Sequence, residues 1–504
     1  MLNWLRSNPA LSAHRLMPLA VGAGFATAAA IGGVVVASGN LMMIGLAVGA
    51  IFGVLLLTAV QQTIWLVLVG TLVLCGPLVM HFPVLARLPW LFSILGFLLL
   101  VASVLYEGTR RDAPGQSSPG FVAIAVVFMI YATGMSLLSD APGDQIMAAF
   151  KRYFHYWGLM FALAAVPFAA KQIRVWLLFM IGLAAIQLPF AIYQRIVLMP
   201  LRLNMPNQVV PVDIVAGTFE GSIFGGANNN VMVFLLVAAM AGLLAARRES
   251  IIPARFFWPL LALIAAPLAL GETKMVAVFL PVALLVVYAD VARRRPFVFA
   301  SGAVLASALI VGLMAFYIQY QATEGRTAMT FEQRVRENLE YNVGNRGYFG
   351  GASLNRSNVV PFWWSRHGLD DPVGTVFGHG LGASHGSRGT EQLGHADRKY
   401  PGYSIGLTAI AGLLWDVGLF GVALYLLMLG GAFRAAGRLV TQAAPGLDRA
   451  MCRTLRAVVL MTVPALLALD VMLIAPSMQV LAAFSLGLIA WRWRAGSRVP
   501  SVRQ

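Results

Sequence analysis

Residues 404–430 read SIGLTAIAGLLWDVGLFGVALYLLMLG, a run in which Asp416 is the one charged side chain. About 20 mostly apolar residues let a helix cross a bilayer, because its backbone groups are then satisfied within the segment. A helix of this length on a soluble protein would carry a charged face. This one has none, so the run decides for a membrane fold. The whole chain agrees: its 504 residues are 59% hydrophobic and 11% charged, with a mean hydropathy of +0.78. Soluble domains carry roughly 25% charged residues. The composition excludes a cytosolic enzyme, a secreted domain and a disordered chain.

Working outward, further runs of similar character lie at 16–38, 41–60, 63–80, 88–105, 119–138, 153–170, 175–193, 230–246, 256–271, 274–291, 297–318, 457–474 and 476–491. The expectation is an all-α polytopic membrane protein of about 14 (12–14) transmembrane helices, with one large periplasmic loop containing short helices. Residues 1–318 hold helices 1–11, residues 319–403 the loop domain, and residues 404–504 helices 12–14 with a tail. Where spans meet at Gly39-Asn40, at Gln61-Gln62 or between Gly271 and Thr273, a re-entrant hairpin is the alternative. The first run contains Ala26-Thr27-Ala28, which resembles a signal-peptidase site, but it is long and a second span follows at once, so it reads as a retained anchor.

The net charge is +16. With the N-terminus in the cytoplasm, alternate connections hold 21 of the 36 Lys and Arg residues. Nine of the remaining 15 fall in 319–403, and loops of that length barely count toward orientation. Both termini are therefore expected inside and the long loop outside. Positive charge at helix ends meets anionic lipid rather than nucleic acid. Cys75 and Cys452 lie in unrelated contexts and form neither a disulfide framework nor a CxxC metal motif.

Residues 319–403 hold 8 of the 20 acidic residues and 4 of the 7 histidines, His367, His379, His385 and His395. An insert of this size is too long for a connector. It opens with Thr330-Phe331-Glu332-Gln333, a capping box before an apolar stripe of Phe331, Val335 and Leu339. Pro361-Phe362-Trp363-Trp364-Ser365-Arg366-His367 follows, an aromatic belt or a sugar-stacking surface. Next comes Gly378-His379-Gly380-Leu381-Gly382-Ala383-Ser384-His385-Gly386, where the dinucleotide pattern G-x-G-x-x-G fails. Two readings stand for it: a turn presenting backbone N–H groups to a phosphate, or a tight turn packed against helix ends. No HExxH or comparable local pair accompanies the histidines, so no metal site is expected. Outside the insert, residues 194–229 carry Arg195, Arg202, Asp213 and Glu220, and Lys274 lies between two apolar runs. Ionisable groups wedged between spans are candidates for function, and Asp416 and Asp470 share that status.

The order of these features resembles the O-antigen ligase and O-antigen polymerase superfamily of bacterial envelope glycan assembly. The residues that carry the resemblance are Thr273-Lys274, Arg366, Gly378-His379-Gly380-Leu381-Gly382 and Trp415-Asp416-Val417-Gly418-Leu419-Phe420-Gly421. Where that family has a histidine about ten residues before its acidic-x-Gly element, the nearest here is His395. The resemblance implies a multi-pass protein of the bacterial inner membrane. It would move a glycan from an undecaprenyl-diphosphate-linked donor to an acceptor hydroxyl, on a growing glycan or on a lipid A core, with neither metal nor cofactor. Lys274, Arg195, Arg202 and Arg366 are the candidates to meet the diphosphate's developing charge. The base for the attacking hydroxyl is sought at His395, then at His379 and His385, with Glu220 behind. A transporter or flippase of lipid-linked oligosaccharide is the alternative.

Overall fold

A computed structural model describes residues 53–109, 118–139, 141–203, 211–219, 221, 228–271, 275–323, 332–333, 336, 354–385, 393–403 and 405–496. The expected span 16–38, most of 41–60, the retained anchor and the capping threonine at 330 lie outside these residues, as do Glu220 and Lys274. Two compact units divide the chain, Met1–Thr63 and Ile64–Gln504. In the first, residues 53–58 are helical. Apart from residues 60–63, which open the helical stretch Val60–His81, all that follows concerns the second.

Every described element is helical, and seven helical stretches are long and apolar enough to cross a membrane. They are Val60–His81, Pro83–Thr109, Gly120–Leu138, Ala170–Arg202, Asn229–Arg248, Ala409–Gln442 and Leu447–Ala468. Three shorter apolar helices lie at Ala254–Leu270, Val276–Val287 and Pro296–Ala308. Of the expected fourteen, 16–38 and most of 41–60 lie outside the described residues, and among the rest several elements are shorter or end elsewhere than the apolar runs suggest. The expected span 153–170 is interrupted at His155-Tyr156 and resumes as a helix of nine residues, Trp157–Ala165. At 1.5 Å per residue that is under half of a ~30 Å hydrocarbon core. The expected span 457–474 stops at Ala468, before Leu469 and Asp470. Pro476–Gly496 has 21 residues, but Gln479, Arg492 and Arg494 lower its apolarity.

The elements that position the site are α1 (Gly120–Leu138), α2 (Gly143–Phe154), α3 (Val359–Arg366), α4 (Pro372–Phe377), α5 (His395–Lys399) and α6 (Ala409–Gln442). Pro119 and Pro142 precede α1 and α2 in extended conformation, which suits a residue with no N–H to donate. Helix α6 packs on α1, α4 and Leu447–Ala468, so it is the wall on which the site is built.

Four ion pairs join connections that the charge count places on one face: Arg248 with Asp290, Arg453 with Glu249, Arg494 with Glu107, and Arg492 with Asp448 at 2.7 Å. Each is partly open to solvent, worth about 1 kcal/mol or less, so it marks a shared face more than it stabilises the bundle.

Candidate functional site

Thr408 caps α6 by accepting from Ala411 N at 3.3 Å, and the helix then runs to Gly418, where φ 62° and ψ −171° break it. A break strips the preceding carbonyls of their partners one turn on. Three of them find partners from outside the helix. Trp415 O accepts from His379 N and Asp416 O from Gly380 N, both at 2.9 Å, while Val417 O accepts from the Tyr131 hydroxyl at 2.9 Å. The fully buried Asp416 side chain accepts from Tyr153 Oη at 2.6 Å, Ser384 N at 2.7 Å and Gly382 N at 3.3 Å.

The glycine-rich turn is thereby explained. Gly378, Gly380 and Gly382 have φ of 74°, 86° and 86°, a region costly for any residue with a Cβ. Gly378 and Gly418 meet backbone to backbone: a Cβ on the first would lie 2.6 Å from Gly418 N, and a Cβ on the second 2.4 Å from Val376 O. Between the two readings of the turn, the phosphate cradle is the one the structure corrects. Every N–H from Gly378 to Ser384 already donates, to Gly374 O, Trp415 O, Asp416 O, Ser136 Oγ, Asp416 Oδ2, Gly380 O and Asp416 Oδ1 in order. Four of these seven acceptors are the carbonyls freed by the break and the carboxylate beside it.

Packed this way, the turn delivers His379 into a cluster of imidazoles. His367 Nε2 and His379 Nε2 are 2.8 Å apart, and the His379 and His395 rings stack with centroids at 4.4 Å and planes at 13°. His367 Nδ1 is 2.9 Å from Trp363 O; a carbonyl only accepts, so Nδ1 carries the hydrogen and Nε2 the lone pair. His379 then donates from Nε2. Asp371 caps α4 through Oδ1, accepting from Gly374 N at 2.9 Å, and its Oδ2 lies 3.9 Å from His379 Nε2. The side chains of His379 and Asp371 are 22% and 41% exposed, so the cluster opens outward between them. Trp415 closes the floor, its ring 4.6 Å from that of His367. Burial, then the neighbouring imidazoles of His395 and His367, push His379 down to about 4. His367 and His395 are lowered as well, first of all by burial. The three rings are neutral at physiological pH, with lone pairs available.

Next to the cluster, the Arg366 guanidinium lies over the rings of Phe362 and Tyr400 at 5.2 and 5.3 Å, and Phe362 stacks on Tyr403 at 5.2 Å. The tryptophan pair divides its labour. Trp363 is 2% exposed and packs on His367, while Trp364 is 52% exposed.

Of the candidates read from sequence, the structure brings His379 and His395 into direct contact and sets Arg366 on the aromatic shelf beside them. His385 stands apart from the stack. Its Nδ1 is 2.7 Å from Ser384 Oγ, and Nε2 lies so close to Gly406 that a Cβ there would meet it at 2.0 Å. Arg195 donates to Leu270 O at 3.4 Å, and Arg202, buried, has Asp213 as its acidic neighbour. Not among the residues assigned a site role beforehand are His367, Asp371, Trp415 and Tyr153. Only Asp371 carried a local signal, since Asp-Pro is a helix start with the carboxylate at the cap.

His385 yields a stability prediction. Burial and then Arg152 hold it down to about 4, against an ordinary 6.5. Between those values the unfolded chain binds the proton and the folded one does not, so stability is level above 6.5 and declines as pH falls toward 4. Thermal unfolding in detergent between pH 7.5 and 4.5 should show this fall, and His385→Gln should make it shallower, leaving the share that His379 contributes in the same window. An equally steep curve in the variant would assign the acid lability to another group.

An apolar cavity of about 440 Å³ lies elsewhere, lined by Leu178, Phe234, Leu260, Leu447, Phe484 and Leu488 among others. None of its walls comes from residues 354–403, and apart from Arg174, Thr454 and Ser485 the lining residues are non-polar. Compared with known proteins, the chain matches no protein-family model and no curated protein.

Proposed function

We propose that this protein is a membrane glycosyltransferase, taking a glycan from an undecaprenyl-diphosphate-linked donor to an acceptor sugar hydroxyl at the periplasmic face, as a polysaccharide polymerase or an O-antigen ligase. The observation that carries this reading is the stacked, neutral imidazole cluster of His367, His379 and His395, opening beside Arg366 on a shelf of Phe362, Tyr400 and Tyr403. Attack by a sugar hydroxyl needs a base that is unprotonated at neutral pH, and His379 meets that need. Once His379 takes the proton, Asp371 at 3.9 Å stabilises the imidazolium. Arg366 supplies fixed positive charge for the departing diphosphate, and aromatic rings suit the C–H faces of sugars. Lys274 remains a second candidate cation for the diphosphate.

The transporter reading draws on one feature, the break in α6, since interrupted helices often line substrate paths. Here the freed carbonyls are already engaged by the glycine-rich turn and Tyr131, which leaves them unfit to bind a solute.

The test is reconstitution. Purified protein in liposomes is given a lipid-linked oligosaccharide and an acceptor glycan. Longer glycan together with released undecaprenyl diphosphate is the expected product. Donor that crosses the bilayer chemically unchanged would replace this reading with the transporter.

A further inference from the structure

We propose that His367, Asp371 and His379 form a binding site for one divalent transition-metal ion of the zinc class, through two imidazole nitrogens and a carboxylate oxygen. One ligand atom from each of the three residues lies within 4.8 Å of the other two. Zinc–nitrogen bonds are about 2.0–2.1 Å, so tetrahedral ligand atoms sit about 3.3 Å from one another. The observed separations of 2.8 Å for the two Nε2 atoms and 3.9 Å from His379 Nε2 to Asp371 Oδ2 straddle that value. Shifts of about half an ångström bring these two separations to that value. The shared hydrogen between the imidazoles occupies the place that a cation would take.

The surroundings fit a ligand set better than an accidental cluster. Metal-bound histidines usually donate their second ring nitrogen to a carbonyl or carboxylate, which fixes the tautomer. His367 does this through Nδ1 to Trp363 O, and Trp363 stacks along the His367 ring at 5.3 Å. Asp371 spends Oδ1 on its helix cap and leaves Oδ2 for the ion. Gly374 makes the room: a Cβ there would stand 2.1 Å from Asp371 Oδ2 and 3.0 Å from His367 Cδ2, displacing two ligands at once. The open side of the cluster leaves a fourth position for water. Two imidazoles and a single carboxylate favour zinc over magnesium or calcium, which demand several oxygens.

Zinc on His379 Nε2 fixes that ring's hydrogen on Nδ1 and leaves no free lone pair, so the metal-loaded form is one in which His379 does not act as the base. Metal binding is therefore tested by itself, without donor or acceptor. Full-length protein is purified in detergent without a polyhistidine tag, stripped with a chelator and titrated with zinc chloride by calorimetry. Metal content after dialysis gives the stoichiometry. One ion per chain is expected at the site. Asp371→Asn should weaken binding at least tenfold while keeping the helix cap, since asparagine caps as well as aspartate. His367→Ala with His379→Ala should abolish it, and His81→Ala, whose ring pairs with Tyr193, should leave it unchanged. Magnesium chloride in place of zinc should produce no heat. Zinc retained equally by the wild type and the double variant would overturn the proposal, and so would a wild type that binds none.

Discussion

Asp416→Ala is expected to cost about 3–5 kcal/mol of stability and to release the glycine-rich turn from α6, the largest structural effect of any single change at the site. The carboxylate is fully buried and accepts from Tyr153 Oη, Gly382 N and Ser384 N. Alanine removes the acceptor and keeps the donors, and each buried donor left unmade costs about 1–3 kcal/mol, relieved only where water can enter. Two further substitutions separate this account from simple loss of packing. Tyr153→Phe removes one donor and leaves the two N–H bonds to Asp416, so it should cost about 1 kcal/mol. Asp416→Asn keeps the shape but turns an amide NH2 toward groups that are themselves donors, and should fall between the other two. Thermal unfolding in detergent gives the ranking Asp416→Ala, then Asp416→Asn, then Tyr153→Phe. Protease sensitivity of the 378–385 turn should rise in the same order. If asparagine is tolerated as well as aspartate, shape rather than hydrogen bonding holds the turn, and the account fails.

That turn also shows what could be read in advance. Helical class was legible because apolar runs near 20 residues admit little else in a chain with so few charges. Their ends were not, since Leu469-Asp470 and His155-Tyr156 end helices inside runs that stay apolar on both sides. The grouping of basic connections was legible: Arg248, Arg453, Arg492 and Arg494 find acidic partners on connections assigned to the same face. At the site, His379 and His395 were legible as a region rich in histidine and glycine, but their stacking was not. It depends on Gly378, Gly380 and Gly382 folding the chain back onto a helix break nearly forty residues further on. Four of the turn's N–H groups find their acceptors at Trp415 O, Asp416 O and the Asp416 carboxylate, none of them local in sequence. Read alone, a run of glycine N–H groups looks like an anion cradle. His367 and Asp371 were given no role for the same reason, because their partner is the histidine delivered by that turn.

His379→Ala should lower kcat for glycan transfer by about 10²–10⁴, the range that general-base catalysis contributes. The backbone contact survives the substitution, since His379 N bonds Trp415 O whatever the side chain, so the turn should stay in place and unfolding should shift little. KM for the lipid-linked donor should be nearly unchanged, because the ring acts on the acceptor hydroxyl. Arg366→Ala is expected to behave differently. Removing a fixed positive charge from the leaving diphosphate weakens both the bound donor and the transition state, so KM should rise as kcat falls. His385→Ala marks the boundary of the site: its ring is engaged by Ser384 Oγ at 2.7 Å, away from the stack, and kcat should stay within about tenfold of wild type. Added imidazole offers the decisive readout. It can take the place of a missing base only where a cavity is left, so it should restore part of the rate to His379→Ala and none to Arg366→Ala. A His379→Ala enzyme with wild-type kcat would remove the base from this histidine. Loss of activity with no rescue, together with a large drop in unfolding temperature, would recast His379 as a residue that holds the turn rather than one that moves a proton.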